Sequence, residues 1–158
     1  MNTSQPREYL TLKAGPGNNF SKKTYVNSPV QNSKDSSETQ FTKIRIVSNL
    51  TVQRDDFEFA TITWYHRNKG FLAYAEAGDC HVYSCTGTKN GVFKMDLTGT
   101  GMRFVTPIDW KYLGWRGCTG SIPNQYSVSA TKQVASGRCG GHCAGCNAKQ
   151  LKLEPEGC

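Results

Sequence analysis

Apolar and polar residues alternate in short runs along the middle of this chain. Thr42-Lys43-Ile44-Arg45-Ile46-Val47 sets Ile44 and Ile46 on one face, as the side-chain alternation of a strand requires. Phe57, Phe59, Thr61 and Thr63 fall on one side of the next run and Ala60, Ile62 and Trp64 on the other, so 57–66 reads as a strand buried on both faces. Phe71–Ala77, His81–Cys85, Val92–Leu97, Met102–Thr106 and Tyr126–Val134 complete a set of about seven short strands. Turn signals separate them: Asn68-Lys69-Gly70, Ala77-Gly78-Asp79, Lys89-Asn90-Gly91 and Gly99-Thr100-Gly101. Asn90-Gly91, between apolar runs, favours a type I′ hairpin turn. Helical periodicity is confined to one short turn near Ala144–Leu151. The pattern predicts an all-β fold, an antiparallel β-barrel or β-sandwich.

Residues 1–40 carry no such period. Stretches such as GPGNNFSKK and VQNSKDSSETQ are polar and turn-rich, with one short strand expected around Thr24–Val26. The chain therefore divides into a loose polar N-terminal arm over 1–40 and a β domain over 41–158.

The 158 residues are 37% hydrophobic and include 16 glycines, which suits a loop-rich β protein. A net charge of +7 favours acidic partners, but Lys22-Lys23 is the longest basic run. Scattered charge of this kind is a solvated surface, and nucleic acid is not the expected partner. No stretch approaches the roughly 18 apolar residues of a membrane span. MNTSQPREYL lacks the apolar core of a signal peptide, so the chain is either intracellular or a form whose leader has been removed.

All seven cysteines lie in the second half: Cys80, Cys85, Cys118, Cys139, Cys143, Cys146 and Cys158. Cys80 and Cys85 flank HVYS, which if extended holds them about 16 Å apart at ~3.3 Å per residue. A disulfide needs α-carbons about 5.5 Å apart, so each reaches another segment. Cys118 and the cluster RCGGHCAGC supply the partners. Three disulfides among Cys80, Cys85, Cys118, Cys139, Cys143 and Cys146 are expected, with Cys158 unpaired or interchain. The competing reading is a zinc knuckle on Cys143 and Cys146, completed from Cys139, His142 or Cys158. The preferred reading needs no metal and no cofactor. Sequons at Asn2-Thr3-Ser4, Asn19-Phe20-Ser21 and Asn49-Leu50-Thr51 agree with an oxidising compartment and secretion.

Titratable candidates are few: His66 and His81 near strand ends, His142 in the cysteine cluster, and Glu58 and Glu76 in strands. His66, His81, Glu76 and Arg67 or Arg103 are similar in kind to the acid, base and phosphate-binding groups of fungal ribonucleases and ribotoxins. That makes a small secreted ribonuclease the alternative, although no ribonuclease motif surrounds them. A zinc-stabilised nucleic-acid binder is a third reading. G-x-S-x-G, P-loop and dinucleotide signatures are absent, so no catalytic residue is assigned and the chain is read as non-enzymatic. The stretch Ile108–Cys118 interleaves Trp110, Tyr112 and Trp115 with Lys111 and Arg116 in what reads as a long loop. Trp, Tyr and Arg dominate binding hot spots, so these five residues are the expected partner surface. The competing role for Trp110 and Trp115 is to plug the open end of the barrel.

The order IRIVSNLTVQRDDFEFATITWY, then CHVYSC, then GVFKMDL resembles the small secreted cysteine-rich β proteins of ascomycete fungi. That group includes the Alternaria major-allergen type and necrotrophic effectors of cereal pathogens such as Parastagonospora. The resemblance covers roughly 41–110 and departs at RCGGHCAGC. It implies a processed, disulfide-bonded virulence protein or toxin. Such a protein acts by binding a host protein or cell-surface component and triggers plant cell death without catalysis.

Overall fold

A computed structural model describes residues 6–24, 36–64, 70–79, 91–113, 126–141 and 144–157. The described residues form fourteen strands: β1 (Glu8–Thr11), β2 (Phe20–Thr24), β3 (Ser36–Phe41), β4 (Lys43–Val47), β5 (Thr51–Gln53), β6 (Ala60–Trp64), β7 (Glu76–Asp79), β8 (Gly91–Asp96), β9 (Met102–Phe104), β10 (Asp109–Leu113), β11 (Ser127–Val128), β12 (Val134–Cys139), β13 (Ala144–Gln150) and β14 (Leu153–Pro155). Two single 3-10 turns, Pro16–Asn18 and Ser48–Leu50, are the helical segments among them. The expected all-β class holds.

The largest sheet runs β10-β13-β7-β2-β8-β12-β11, a path of seven strands, with β3 pairing β2 and β6 pairing β3. Its pairs are antiparallel except β2 with β7, where Lys22, Lys23 and Thr24 lie opposite Ala77, Gly78 and Asp79 in parallel. Two smaller sheets, β1-β4-β5 and β14-β9, flank it.

The path curls into a half-barrel. β12 and β13 have β7, β2 and β8 between them along the sheet, yet Cys139 of β12 is bonded to Cys146 of β13. So tight a curl needs strands without side chains at the inner bend. A Cβ on Gly91 would overlap the carbonyl oxygens of Cys139 and Gly78, and Gly140, at φ 137°, lies against Asp79. Inside the curl sit Tyr74, Phe93, Met95, Phe104 and Phe41, all fully buried. Phe41 and Tyr74 meet edge to face at 5.1 Å, a favoured aromatic geometry.

Several expected elements change. The segment 1–40 supplies β1, β2 and almost all of β3, and β2 lies inside the main sheet. Its polar residues are buried because their polar atoms are satisfied: Ser21 donates to the Ala73 carbonyl at 2.6 Å, and Thr39 accepts the Leu72 N–H at 2.8 Å. The strand expected at 57–66 starts at Ala60, since Phe57–Phe59 form a turn closed by the Ala60 N–H to Phe57 carbonyl bond. The run expected at 71–77 is broken by Ala75 at φ 63°, and β7 begins at Glu76. Tyr126–Val134 is a hairpin, β11 turning through Lys132 (φ 58°) into β12. The helical turn expected near 144–151 is strand β13, and the loop expected over 108–118 contains β10.

Candidate functional site

β4 and β5 form a hairpin with Arg45 opposite Gln53, and β1 lies beside β4 with Tyr9 opposite Arg45. The chain leaves β5 through the turn 54–59, and this turn is anchored from behind. Arg54 points inward, where its Nη1 donates to the Asn147 side-chain oxygen on β13 and, at 3.3 Å, to the Tyr74 carbonyl. Its backbone carbonyl accepts the Tyr74 N–H at 2.9 Å. Burial lowers the Arg54 guanidinium pKa, against the pull of Glu76 and Asp55.

With Arg54 turned in, its neighbours turn out. Arg7, Arg45, Gln53, Asp55, Asp56, Phe57 and Glu58 line an open groove of about 530 Å³. Asp56 organises it, with a side chain only 7% exposed. The Tyr9 hydroxyl donates to its two oxygens at 3.1 and 3.2 Å, Arg45 Nη1 stands 3.5 Å away, and the Glu58 N–H donates at 3.2 Å. The Arg7 guanidinium is pushed further up, first by hydrogen bonding with Tyr9 and then by the charges of Tyr9 and Asp56.

Aromatic rings rim the groove. Phe57 stacks on Phe71 at 4.9 Å, and Phe71 is 42% exposed. Phe59 meets Tyr9 edge to face at 4.8 Å, and Lys43 Nζ sits 4.6 Å above the Phe59 ring. The groove thus offers two guanidinium groups, three carboxylates, an amide and flanking aromatic faces. It can take up a ligand carrying both charges and an apolar side chain.

The sequence reading placed the partner surface elsewhere. Trp110 lies in β10 and is 9% exposed, packed on Phe93 at 4.8 Å and Tyr126 at 5.4 Å. It is a core residue. Lys111 is exposed on the same strand. The side chain of Tyr112, and Trp115 and Arg116 entirely, lie outside the described residues. Of the groove residues, the sequence reading weighed only Glu58, as a titratable group in a strand. The available signal was the mixed-charge run Arg54-Asp55-Asp56-Phe57-Glu58 directly after a strand.

Among the cysteines, Cys139 and Cys146 form a disulfide with α-carbons 5.9 Å apart. Two of the three expected members of the cluster are thus oxidised and bonded to each other. Bonded sulfurs are not thiolates, so the zinc reading loses both as ligands. Cys80, Cys85, Cys118, Cys143 and Cys158 lie outside the described residues, as do His66, Arg67, His81 and His142. The ribonuclease alternative fares no better where it can be followed. Arg103 is paired with Glu154 at 2.8 Å, and Glu76 accepts the Ala73 N–H at 2.8 Å.

Residues 22–155 match the family profile of the GON domain. In Caenorhabditis elegans, A disintegrin and metalloproteinase with thrombospondin motifs gon-1 is 31% identical over 115 residues, covering 72% of this chain and 5% of that protein. The human A disintegrin and metalloproteinase with thrombospondin motifs 20 is 28% identical over 163 residues, covering 92% of this chain and 8% of that protein. Its mouse counterpart is 30% identical over 109 residues, covering 68% and 5%. The chain spans less than a tenth of the length of these relatives. No solved structure matches it. These relatives are animal proteins, so the fungal resemblance is overturned, and with it the effector, toxin, virulence and host-target readings. The ribonuclease and zinc-binder alternatives fall with the same match. The resemblance rested on the order of a few short segments, which is compatible with an all-β fold but does not name a family. The chain belongs to the GON domain family.

Proposed function

We propose that this chain is an extracellular, non-catalytic recognition domain of a protein of the metalloproteinase type, and that it holds a polypeptide segment in the groove beneath β4 and β5. The observation that carries the reading is the balance of charge around Asp56. Arg7 and Arg45 face Asp55, Asp56 and Glu58 in one groove, so the overall charge of +7 is not expressed there. An anionic polysaccharide gains little from such a surface, whereas a peptide presents both charges, backbone polar groups and apolar side chains. The exposed Phe71, held against Phe57, supplies the rigid apolar contact that peptide recognition favours. Relatives that carry metalloproteinase and thrombospondin motifs in their names are many times longer than this chain, which fits a module separate from a catalytic unit.

The test uses the oxidised chain, biotinylated and applied to cell-free matrix laid down by cultured fibroblasts. Protease treatment of the matrix is expected to abolish retention, and heparinase to leave it intact. Arg7→Glu combined with Phe71→Ala is expected to weaken retention about tenfold, a loss of roughly 1.4 kcal/mol, with an unchanged circular dichroism spectrum. Loss to heparinase alone would replace the peptide by a polysaccharide. Full retention of the double variant would remove the groove from the function.

A further inference from the structure

The fold sorts the asparagines of two sequons into one that is sealed and one that is open. Asn19 of Asn19-Phe20-Ser21 is fully buried. Its Nδ2 donates to the Gly15 and Asp96 carbonyls at 3.1 Å each, and its Oδ1 accepts from Tyr74 Oη at 2.6 Å and the Asp96 N–H at 2.9 Å. Both Nδ2 hydrogens are in use, and a sugar on that nitrogen would have to pass through the core.

Asn49 of Asn49-Leu50-Thr51 is the opposite case. It is exposed at the tip of the β4–β5 hairpin, in the turn Ser48–Leu50, and its amide makes no hydrogen bond among the described residues. It occupies the left-handed region at φ 59°, ψ 32°, which asparagine tolerates well. A second observation points to cover at this spot. Leu50, at φ 53°, is 39% exposed, an apolar side chain held outward by a conformation that leucine disfavours. A sugar on Asn49 would shield it.

We propose that Asn49 is an N-glycosylation site and that folding excludes Asn19 from modification. The inference rests on the extracellular reading above, because the reaction belongs to the secretory pathway. In it, Nδ2 of Asn49 attacks the anomeric carbon of a lipid-diphosphate oligosaccharide. A nitrogen–carbon bond forms, the carbon–oxygen bond to the diphosphate breaks, and Nδ2 gives up one proton. The glycan would stand at the end of the hairpin whose strands carry Arg45 and Gln53, and so at one edge of the groove.

The whole chain, expressed behind an added secretion leader in a mammalian line, is collected from the medium. It is then treated with peptide-N-glycosidase F in heavy-oxygen water, which marks every formerly glycosylated asparagine as a heavy aspartate. Peptide mapping is expected to find the mark at position 49 and none at 19. Asn49→Asp, which keeps the left-handed preference, is expected to lose that mark and the accompanying mobility shift. Secreted protein without a mark at 49, or with one at 19, overturns the proposal. The same mapping on protein made from its native gene separates the two ideas. A mark at 49 with the added leader but not in the native product would sink the extracellular reading and leave the site itself standing.

Discussion

Tyr74 donates its phenolic hydrogen to the side-chain oxygen of Asn19 at 2.6 Å, across 55 residues of chain, and both side chains are fully buried. This bond fastens the turn before β2 to the segment that leads into β7, so the N-terminal segment is built into the half-barrel. The same asparagine holds both backbone polar groups of Asp96 at the end of β8. One side chain thus joins three pieces of the fold, and the glycan argument at Asn19 follows from that saturation.

Tyr74→Phe should cost about 1 kcal/mol, because Asn19 Oδ1 keeps the Asp96 N–H as a donor. Asn19→Ala should cost about 3 kcal/mol or more, since it strands several buried groups at once. Urea denaturation of both variants at neutral pH checks the order.

The alkaline limb of stability should also change. Burial raises the Tyr74 pKa well above the ordinary phenol value, and burial raises that of Tyr126 too. A folded pKa above the unfolded one means that the native state holds its proton more tightly. The stabilisation is therefore complete below about pH 10, the unfolded value, and is lost as pH rises toward the folded values. Tyr74→Phe should flatten the fall in stability above about pH 10. A fall of unchanged steepness would show that other groups set it.

Gly91→Ala should cost about 3 kcal/mol or more, above the usual range for overpacking, because the added methyl meets backbone on two sides. Gly17→Ala is the control, as nothing lies within 4 Å of a Cβ there. Thermal melts of the pair give the comparison.

How much of this was legible follows from where burial is apolar. The alternation around Ile44 and the run Val92–Leu97 announced β4 and β8, because Ile44, Phe93, Met95 and Leu97 are the residues they bury. β2, β3 and β13 were not legible. FSKKT and SSETQF bury serine and threonine hydroxyls satisfied by backbone groups, which a hydrophobic pattern cannot register. AGCNAKQ opens with the small residues Ala144, Gly145 and Cys146, where a Cβ on Gly145 would meet the Ala77 carbonyl oxygen, and tertiary contact makes it a strand. The groove was missed for a similar reason. Tyr9, Arg45 and Asp56 are distant in sequence, and the pairing of β1 with β4 that unites them depends on a segment whose polarity suggested a loose arm.

Cys139→Ala with Cys146→Ala should lower stability by about 2.5 kcal/mol, the loop-closure value for a bridge spanning so few residues. The fold should survive, since β12 and β13 keep their pairings with β8 and β7. Guanidinium denaturation of the double variant against the oxidised parent measures the difference. A loss of folded structure in dilute buffer would mean that the bridge dictates the curl.

The groove offers the sharpest separation of stability from recognition. Asp56 holds Tyr9 and Arg45 in place, and both partners reach water well enough to be rehydrated when it is removed. Asp56→Ala should therefore cost only about 1–2 kcal/mol of stability. It should also free Arg45, remove the groove's one surplus negative charge, and loosen the side chains that shape it. Retention on matrix should fall, and residual binding should become more sensitive to salt, since an unneutralised arginine attracts anions that screening suppresses. Tyr9→Phe, which keeps the ring against Phe59 and the Asp56–Arg45 pair, should leave retention near the parent level. If Asp56→Ala and Tyr9→Phe lost retention equally, ring placement at the rim would matter more than the order imposed by Asp56. Retention unchanged in both would place the peptide elsewhere on the domain.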